Sequence, residues 1–298
     1  MSLASVRSSN KAILSALQSP TAIFVGGTSG IGQAMAESFA NHTDGQANII
    51  IVGRNEAAAN KILASFPKPA APLKHEFIAC DVTSMKAVGE TTAAIKKSLS
   101  GPVDFLVLSP GWAAMEGRVE TSEGLDRKMA VNYYGRWRFI SDLVDRFNEK
   151  GAKVLSVLGA GYGAKADPND WPMKKKYSVG NVAVITPTYN DLAMEKFAKL
   201  HPTHSFLHST PGGVKTNYLS ASKTWYIRYS GPILTTLLSP FLYSPEQCAE
   251  NQWAGILNSG PGAHRIGSKG QDIGRKNWYG TDEEVESLWK HTKEVTSV

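Results

Sequence analysis

Short, continuous apolar runs alternate along the chain with longer stretches in which apolar residues return every third or fourth position. The runs are Thr21-Ala-Ile-Phe-Val25 and residues 48–52, 73–80, 103–108, 154–158, 204–208 and 263–267. Runs this short, apolar at nearly every position and rich in Ile and Val, predict strands covered on both faces. Helical spacing is read over residues 33–41, 56–66, 85–99 and 123–149. In the last of these Met129, Tyr133, Trp137, Ile140 and Val144 share one stripe. Pro187 interrupts a helical pattern between Tyr177 and Leu200, which predicts either a kinked helix or a second helix capped by Thr186. Ser244-Pro245-Glu246-Gln247 and Thr281-Asp-Glu-Glu284 read as capped helix starts, the second leading into a stripe of Val285, Leu288 and Trp289. Strands alternating with helices predict an α/β fold, a doubly wound parallel sheet of about seven strands flanked by helices.

The first strand runs directly into a turn built from Gly26, Gly27, Gly30 and Gly32. A glycine-rich turn between strand and helix lets backbone approach a pyrophosphate, whose charge is met by free N–H groups and the positive helix end. Gly26 permits the sharp turn, Gly30 the close approach, and Gly32 the packing of helix on strand. The fold is therefore read as Rossmann-like and the turn as a dinucleotide site. After the second strand, Gly53-Arg54-Asn55 offers no acidic residue to hold a ribose 2′-hydroxyl. Arg54 at that place suits a 2′-phosphate through charge-assisted bonds, so NADP(H) is the expected cofactor.

Composition narrows the setting. With 298 residues, 42% of them hydrophobic, and a net charge of +6, the chain fits one large domain over 1–298. Residues 1–19 read as a helical extension, because the segment lacks the continuous apolar core of a leader peptide. The basic residues form no arginine-rich arm, and there is no Cys/His module, so no nucleic-acid partner is expected. The two cysteines, Cys80 and Cys248, form no CxxC pattern, which points to a reducing compartment, the cytoplasm. The seven histidines show no metal-ligand spacing, and no metal is expected. Residues 231–243, GPILTTLLSPFLY, are apolar but too short and too proline-broken to span a bilayer. They sit in a stretch that also carries Trp225, Tyr226 and Tyr229. Such a composition fits a cover over a small hydrophobic substrate. Core packing, or contact with a second copy in a homo-oligomer, fits it as well.

Gly26-x-x-x-Gly30-x-Gly32 after a first strand resembles the short-chain dehydrogenase/reductase family, whose members carry TGxxxGIG there; Val25 stands where they usually have Thr. The resemblance covers nearly the whole chain. It implies Gly26, Thr28, Ser29, Gly30, Ile31 and Gly32 around the cofactor, with Asp81 and Val82 against its adenine. A plain capping role for Asp81 or Thr83 fits those residues too. Ser109-Pro110-Gly111 stands where relatives have Asn-Ala-Gly, so Gly111 carries over. Residues 209–217 resemble a PGxVxT segment, which implies Pro211, Gly212 and Val214 near nicotinamide and Thr216 at phosphate. Residues 215–244 then correspond to the substrate lid, with Trp278 and Tyr279 placed to close the pocket.

The catalytic set departs from the family. Relatives reduce a carbonyl with Ser, Tyr and Lys, the Lys lying four residues after the Tyr. Here Gly159 takes the serine's place, while Ser156 is expected deeper in its strand. Tyr177 is the candidate tyrosine, but Asn181 stands where lysine would be; Tyr189 is the other candidate, also without lysine. Lys174, Lys175 and Lys176 could supply a cation or form a solvated turn. Asn132, in VNYYG, matches the helix asparagine that supports a proton-relay water, or else it is a buried Asn satisfied by backbone. The pattern is similar to divergent fungal short-chain reductases associated with secondary metabolism. That implies an NADP-dependent oxidoreductase acting on a small hydrophobic carbonyl or alcohol. The missing serine and lysine leave a non-redox catalyst on this scaffold, such as a cyclase, isomerase or dehydratase, as the alternative.

Overall fold

The computed structural model describes residues 2–112, 114–216, 224, 229, 239 and 242–297. The elements in chain order are α1 (Leu3–Leu14), β1 (Thr21–Val25), α2 (Gly30–His42), β2 (Asn48–Gly53), α3 (Glu56–Ser65), β3 (His75–Ala79), α4 (Met85–Ser98) and β4 (Phe105–Leu108). There follow α5 (Arg127–Met129), α6 (Gly135–Leu143), β5 (Lys153–Val157), α7 (Val179–Leu200), β6 (Ser205–Ser209), α8 (Pro245–Asn258), β7 (Gly262–Ile266) and α9 (Asp282–Thr296). The expected doubly wound sheet is present, seven parallel strands in the order β3-β2-β1-β4-β5-β6-β7. β1 and β4 are neighbours in the sheet but not in the chain, so the winding reverses between them and a crevice opens beyond their carboxyl ends.

Strands β1, β4 and β6 are buried at every position, which is why they read as unbroken apolar runs. One face packs on α4, α6, α7 and α9 through Ile23, Leu106, Val154, Phe197 and Leu288. The other packs on α2, α3 and α8 through Phe24, Phe39, Ile51 and Trp253. The β3 edge is half-exposed, and its strand stops at Ala79, one residue short of Cys80. Cys80 is nonetheless buried, and burial pushes its thiol up to about 11.

One helix expectation changes, and one pair of alternatives is decided. The stripe read over 123–149 begins as a helix only at Arg127, where Asp126 caps it by accepting from Lys128 N–H and Met129 N–H. Glu123 serves a different helix. Its carboxylate accepts from Ser84 Oγ and the N–H groups of Met85 and Lys86 at the start of α4. A π turn, Ala130–Tyr134, joins α5 to α6. Pro187 lies inside the single helix α7 rather than opening a second one, and Thr186 Oγ1 donates back to Val182 O instead of capping.

The N-terminal helix is tied on by one buried carboxylate. Glu250 on α8 accepts from Asn10 Nδ2 at 2.8 Å, Ser38 Oγ at 3.0 Å and His42 Nε2 at 2.9 Å. Burial alone would raise its pKa, but these hydrogen bonds and the His42 charge outweigh burial and hold it below the usual carboxylate range. A depressed folded-state value makes this tie complete above the unfolded value, roughly 4.3 for Glu, and progressively lost as pH falls below it. Protection of the α1 amides, taken relative to their intrinsic exchange rate at each pH, should therefore fall on acidification below about pH 4. Glu250→Gln should show the faster exchange already at pH 7; equal protection of α1 in both proteins at pH 7 would contradict this.

Candidate active site

The turn after β1 is fixed by contact. Gly26 has φ +83°, and a Cβ there would meet Pro110 N at 2.7 Å, so the turn lies directly against the end of β4. A Cβ on Gly32 would stand 2.3 Å from Ser109 Oγ and 2.6 Å from the Gly26 carbonyl. The Cβ that Gly30 lacks would face Thr216 Cγ2 at 3.4 Å, which sets Thr216 beside the N-terminus of α2. Ser29 is the N-cap residue of α2 without a side-chain capping bond, and the first turn contains no acidic residue. The helix end is thus open to an anion. Ile31 packs into the core below.

The neighbouring strand ends complete a cradle. Thr28 rests on Gly53, where a Cβ would lie 2.8 Å from Thr28 Cγ2. The Arg54 guanidinium then lies 5.6 Å over the Trp112 ring, which follows Gly111 beyond β4. Arg54 also borders a groove of about 430 Å³ lined by Ile78, Ala79, Cys80 and Asp81. Asp81 accepts from Thr83 N–H at 3.0 Å and Thr83 Oγ1 at 2.9 Å, so it caps its turn as well as lining that groove. Val82 holds its carbonyl against Gly135, where a Cβ would approach it to 2.6 Å. Beyond β6, Pro211 and Gly212 lead to Val214, which bridges Tyr243. Tyr243 N–H donates to Gly213 O, and Lys215 N–H to Tyr243 O, so the two ends of the 215–244 segment are joined. The expected lid otherwise lies outside the described residues, apart from points such as Thr224, whose hydroxyl accepts from Met115 N–H.

The catalytic candidates are more scattered. Asn132 sits in the π turn, and its backbone carbonyl accepts from Asn190 Nδ2 at 2.9 Å. Asn190 Oδ1 accepts from Ser156 Oγ at 2.8 Å, and Ser156 Oγ from Arg136 Nη1 at 2.7 Å. Arg136 is 2% exposed and also donates to the carbonyls of Leu108, Pro110, Val131 and Val157. This guanidinium stitches the ends of β4 and β5 beneath the crevice. In the sequence it reads only as a polar helix position, four residues after Asn132. Ser156 is fully buried, as strand alternation predicts, and belongs to this network.

The serine's place is filled. A Cβ on Gly159 would come within 3.2 Å of Pro187 Cγ. The segment after it docks on α7, with Ala164 N–H donating to Val184 O and Thr188 Oγ1 to Ala164 O. Pro187 has no N–H for its helix, and the docking loop uses the neighbouring carbonyl. Gly159 N–H donates to His208 Nε2 at 3.2 Å, and the other ring nitrogen of His208 bonds Asp191 at 2.5 Å. The bond from Gly159 makes Nε2 an acceptor and leaves the proton on Nδ1.

Neither tyrosine stands beside Gly159. Tyr189 is fully buried, donating to Trp171 O at 2.9 Å, and is core. Tyr177 precedes α7, and Pro187 lies ~12 Å further along the helix axis by its rise per residue. Its hydroxyl donates to Gly117 O at 3.3 Å and accepts from Lys128 Nζ at 3.3 Å. Asn181, the expected lysine substitute, is exposed and donates to Lys176 O, so it does not face the phenol. Burial and the Asp126 carboxylate hold Tyr177 above the usual phenol range, against the Arg118 charge. Trp278 is likewise engaged elsewhere, with Arg275 at 4.6 Å from its ring and Arg265 at 6.0 Å.

A reversed-winding sheet with a glycine-rich turn at its crevice is the arrangement of a dinucleotide-binding fold. Residues 25–180, more than half the chain, match the family profile described as enoyl-(acyl carrier protein) reductase. The chain is 36% identical over 223 residues to oxidoreductase AN1596 of Emericella nidulans, covering 74% of this chain and 66% of that relative's own length. It belongs to the short-chain dehydrogenase/reductase family. Solved structures of the same fold include MalC reductase/Diels-Alderase from Malbranchea aurantiaca, with TM-score 0.62 and 16% identity over 88% of this chain and 98% of that one. Another is a Sphingobium yanoikuyae short-chain dehydrogenase in complex with NADPH, with TM-score 0.60 and 17% identity over 83% of this chain and 87% of that one. Among the described residues, no helix is long and apolar enough to cross a membrane.

Proposed function

We propose that this chain is an NADP(H)-dependent oxidoreductase acting on a small hydrophobic carbonyl or alcohol, a secondary metabolite of aromatic or terpenoid character. The observation that carries the cofactor is Arg54. Among the described residues it makes no ion pair with a carboxylate; its guanidinium carbon lies 5.6 Å over the Trp112 ring, and the side chain borders the groove that Asp81 also lines. An arginine at this strand end with no carboxylate partner suits a 2′-phosphate through charge-assisted bonds. The glycine turn, Thr28, Ser29 and Thr216 would hold the pyrophosphate, with Asp81 and Val82 toward adenine and Gly111, Pro211, Gly212 and Val214 toward nicotinamide. The bound cofactor would supply the hydride. Tyr177 is proposed to hydrogen-bond the substrate oxygen, with Asn132 shaping the floor through its Asn190 contact.

Arg54→Ala should weaken NADPH binding by roughly 5- to 150-fold, the equivalent of about 1–3 kcal/mol for hydrogen bonds to a charged group. NADH, which lacks the 2′-phosphate, should bind the variant and the parent alike. Fluorescence titration reads both. Equal losses for the two cofactors would overturn the assignment.

One arrangement favours a second reading, a non-redox catalyst. Pro187 fills the space beside Gly159, and Tyr177 is held in its neutral form, suited to donate a hydrogen bond but not to act as a base. Turnover with NADPH deuterated at its transferable position separates the two. Deuterium in the product supports hydride transfer, and an unlabelled, rearranged product supports the alternative.

A further inference from the structure

Tyr177 has several cations close to it in the sequence, and the fold sorts them. The N–H groups of Lys174, Lys175 and Lys176 wrap the buried Asp170 carboxylate at 2.8, 2.9 and 3.1 Å. The three side chains remain exposed; the ammonium of Lys175 is held by Asn169 O and that of Lys176 by Asp167. The cation that reaches the phenol comes from α5, a sequence separation of 49 residues. Lys128 is 4% exposed, and its Nζ meets Tyr177 Oη at 3.3 Å, Glu116 O at 2.7 Å and Gly117 O at 3.3 Å. Among the described residues Lys128 forms no ion pair with a carboxylate.

Hydrogen-bond inventory turns this contact into a direction. An ammonium has three donors and no acceptor. Two carbonyls and one phenol oxygen use all three. The Tyr177 oxygen therefore accepts from Lys128, and its own proton must point away from the ammonium. Gly117 O accepts it across a long 3.3 Å bond, with the Asp126 carboxylate as the other acceptor beside the phenol. A substrate oxygen can replace so long a bond at little cost. Asp126, at the N-cap of α5, and Glu116 and Arg118, on the loop after β4, are the other charges facing the phenol. The two carboxylates favour the neutral phenol and Arg118 opposes them, so the tyrosine stays a donor.

We propose that Lys128 is a positioning residue for Tyr177, a buried ammonium that sets a positive charge against the phenol oxygen and orients the phenol as an outward hydrogen-bond donor. The consequence for turnover rests on Tyr177 acting on substrate as proposed above; the coupling itself needs no substrate.

The test places a difluorotyrosine at position 177 in the full-length protein, so that its phenol ionises in an accessible range, and follows it by fluorine NMR against pH. An opposite charge this close is expected to lower the midpoint by about one unit or more. Lys128→Met should accordingly raise it by tenfold or more in proton affinity, and Lys128→Arg should leave it near the parent value. An unchanged midpoint in a Lys128→Met protein with native circular dichroism would overturn the proposal. Should Lys128→Met fail to fold, Lys128→Gln, which is one atom shorter and keeps a donor but no charge, is read by the same criterion. Tyr177→Phe with full turnover would remove Tyr177 from the chemistry while leaving the measured Lys128 coupling intact, so the two failures are distinguishable.

Discussion

Gly32→Ala is expected to weaken NADPH binding by about 100-fold or more while leaving most of the sheet folded. The added Cβ would lie 2.3 Å from Ser109 Oγ, which can rotate, and 2.6 Å from the Gly26 carbonyl, which cannot. The turn must shift or the helix must lift, at a cost of roughly 1–3 kcal/mol of overpacking. Either movement withdraws the N-terminal N–H groups of α2 from the phosphate they would meet. A loss of about 100-fold or more in affinity follows if two charge-assisted bonds are broken. Gly30→Ala is the informative companion. Its Cβ would meet only Thr216 Cγ2 at 3.4 Å, but its φ of +60° makes any side chain strained. It should lose binding with a smaller change in melting temperature. Unaltered NADPH affinity in Gly32→Ala would mean that this turn is not the dinucleotide site.

The parts of the fold that were legible in the sequence share one property, that local pattern and tertiary demand agree. β1 is buried throughout because it is central in the sheet, and its apolar run says so directly. Gly26 and Gly32 are required by contacts with β4, and glycine spacing alone exposes that requirement. The position of Arg54, one residue beyond the end of β2, follows from the strand pattern. What was hidden depends on partners far apart in the chain. Arg136 reads as one more polar position on a helix, yet it binds carbonyls from β4 and β5. Lys128 reads as a solvated charge beside Arg127, yet it reaches Tyr177. Glu123 fits a first-turn helix acid and instead caps α4. The YxxxN spacing suggested that Asn181 faces the phenol, but Ser178 caps α7 immediately before it. Asn181 is therefore held in the first turn, bonded to Lys176 O.

That placement decides the catalytic experiment. Tyr177→Phe removes one hydroxyl whose partners are Gly117 O and Lys128 Nζ, so the fold should survive with a small loss of stability. If the hydroxyl hydrogen-bonds the reacting oxygen, turnover should fall by about 10²–10⁴-fold, the usual scale for removing acid–base help. Asn181→Lys offers the contrast. Its side chain starts from an exposed helix turn directed at Lys176 O, and a cation there also opposes the positive end of α7. It should change rate and pH profile by less than about twofold, because Lys128 already occupies the phenol's charged side. Tyr189→Phe should behave differently again. Loss of its buried bond to Trp171 O should lower stability by about 1–3 kcal/mol with little effect on turnover of the folded fraction. A dead but stable Tyr189→Phe beside a fully active Tyr177→Phe would reverse the assignment and move the chemistry into the buried side of α7. An Asn181→Lys protein whose alkaline limb falls to lower pH would show that the helix start reaches the phenol after all, and that its Lys176 contact yields on cofactor binding.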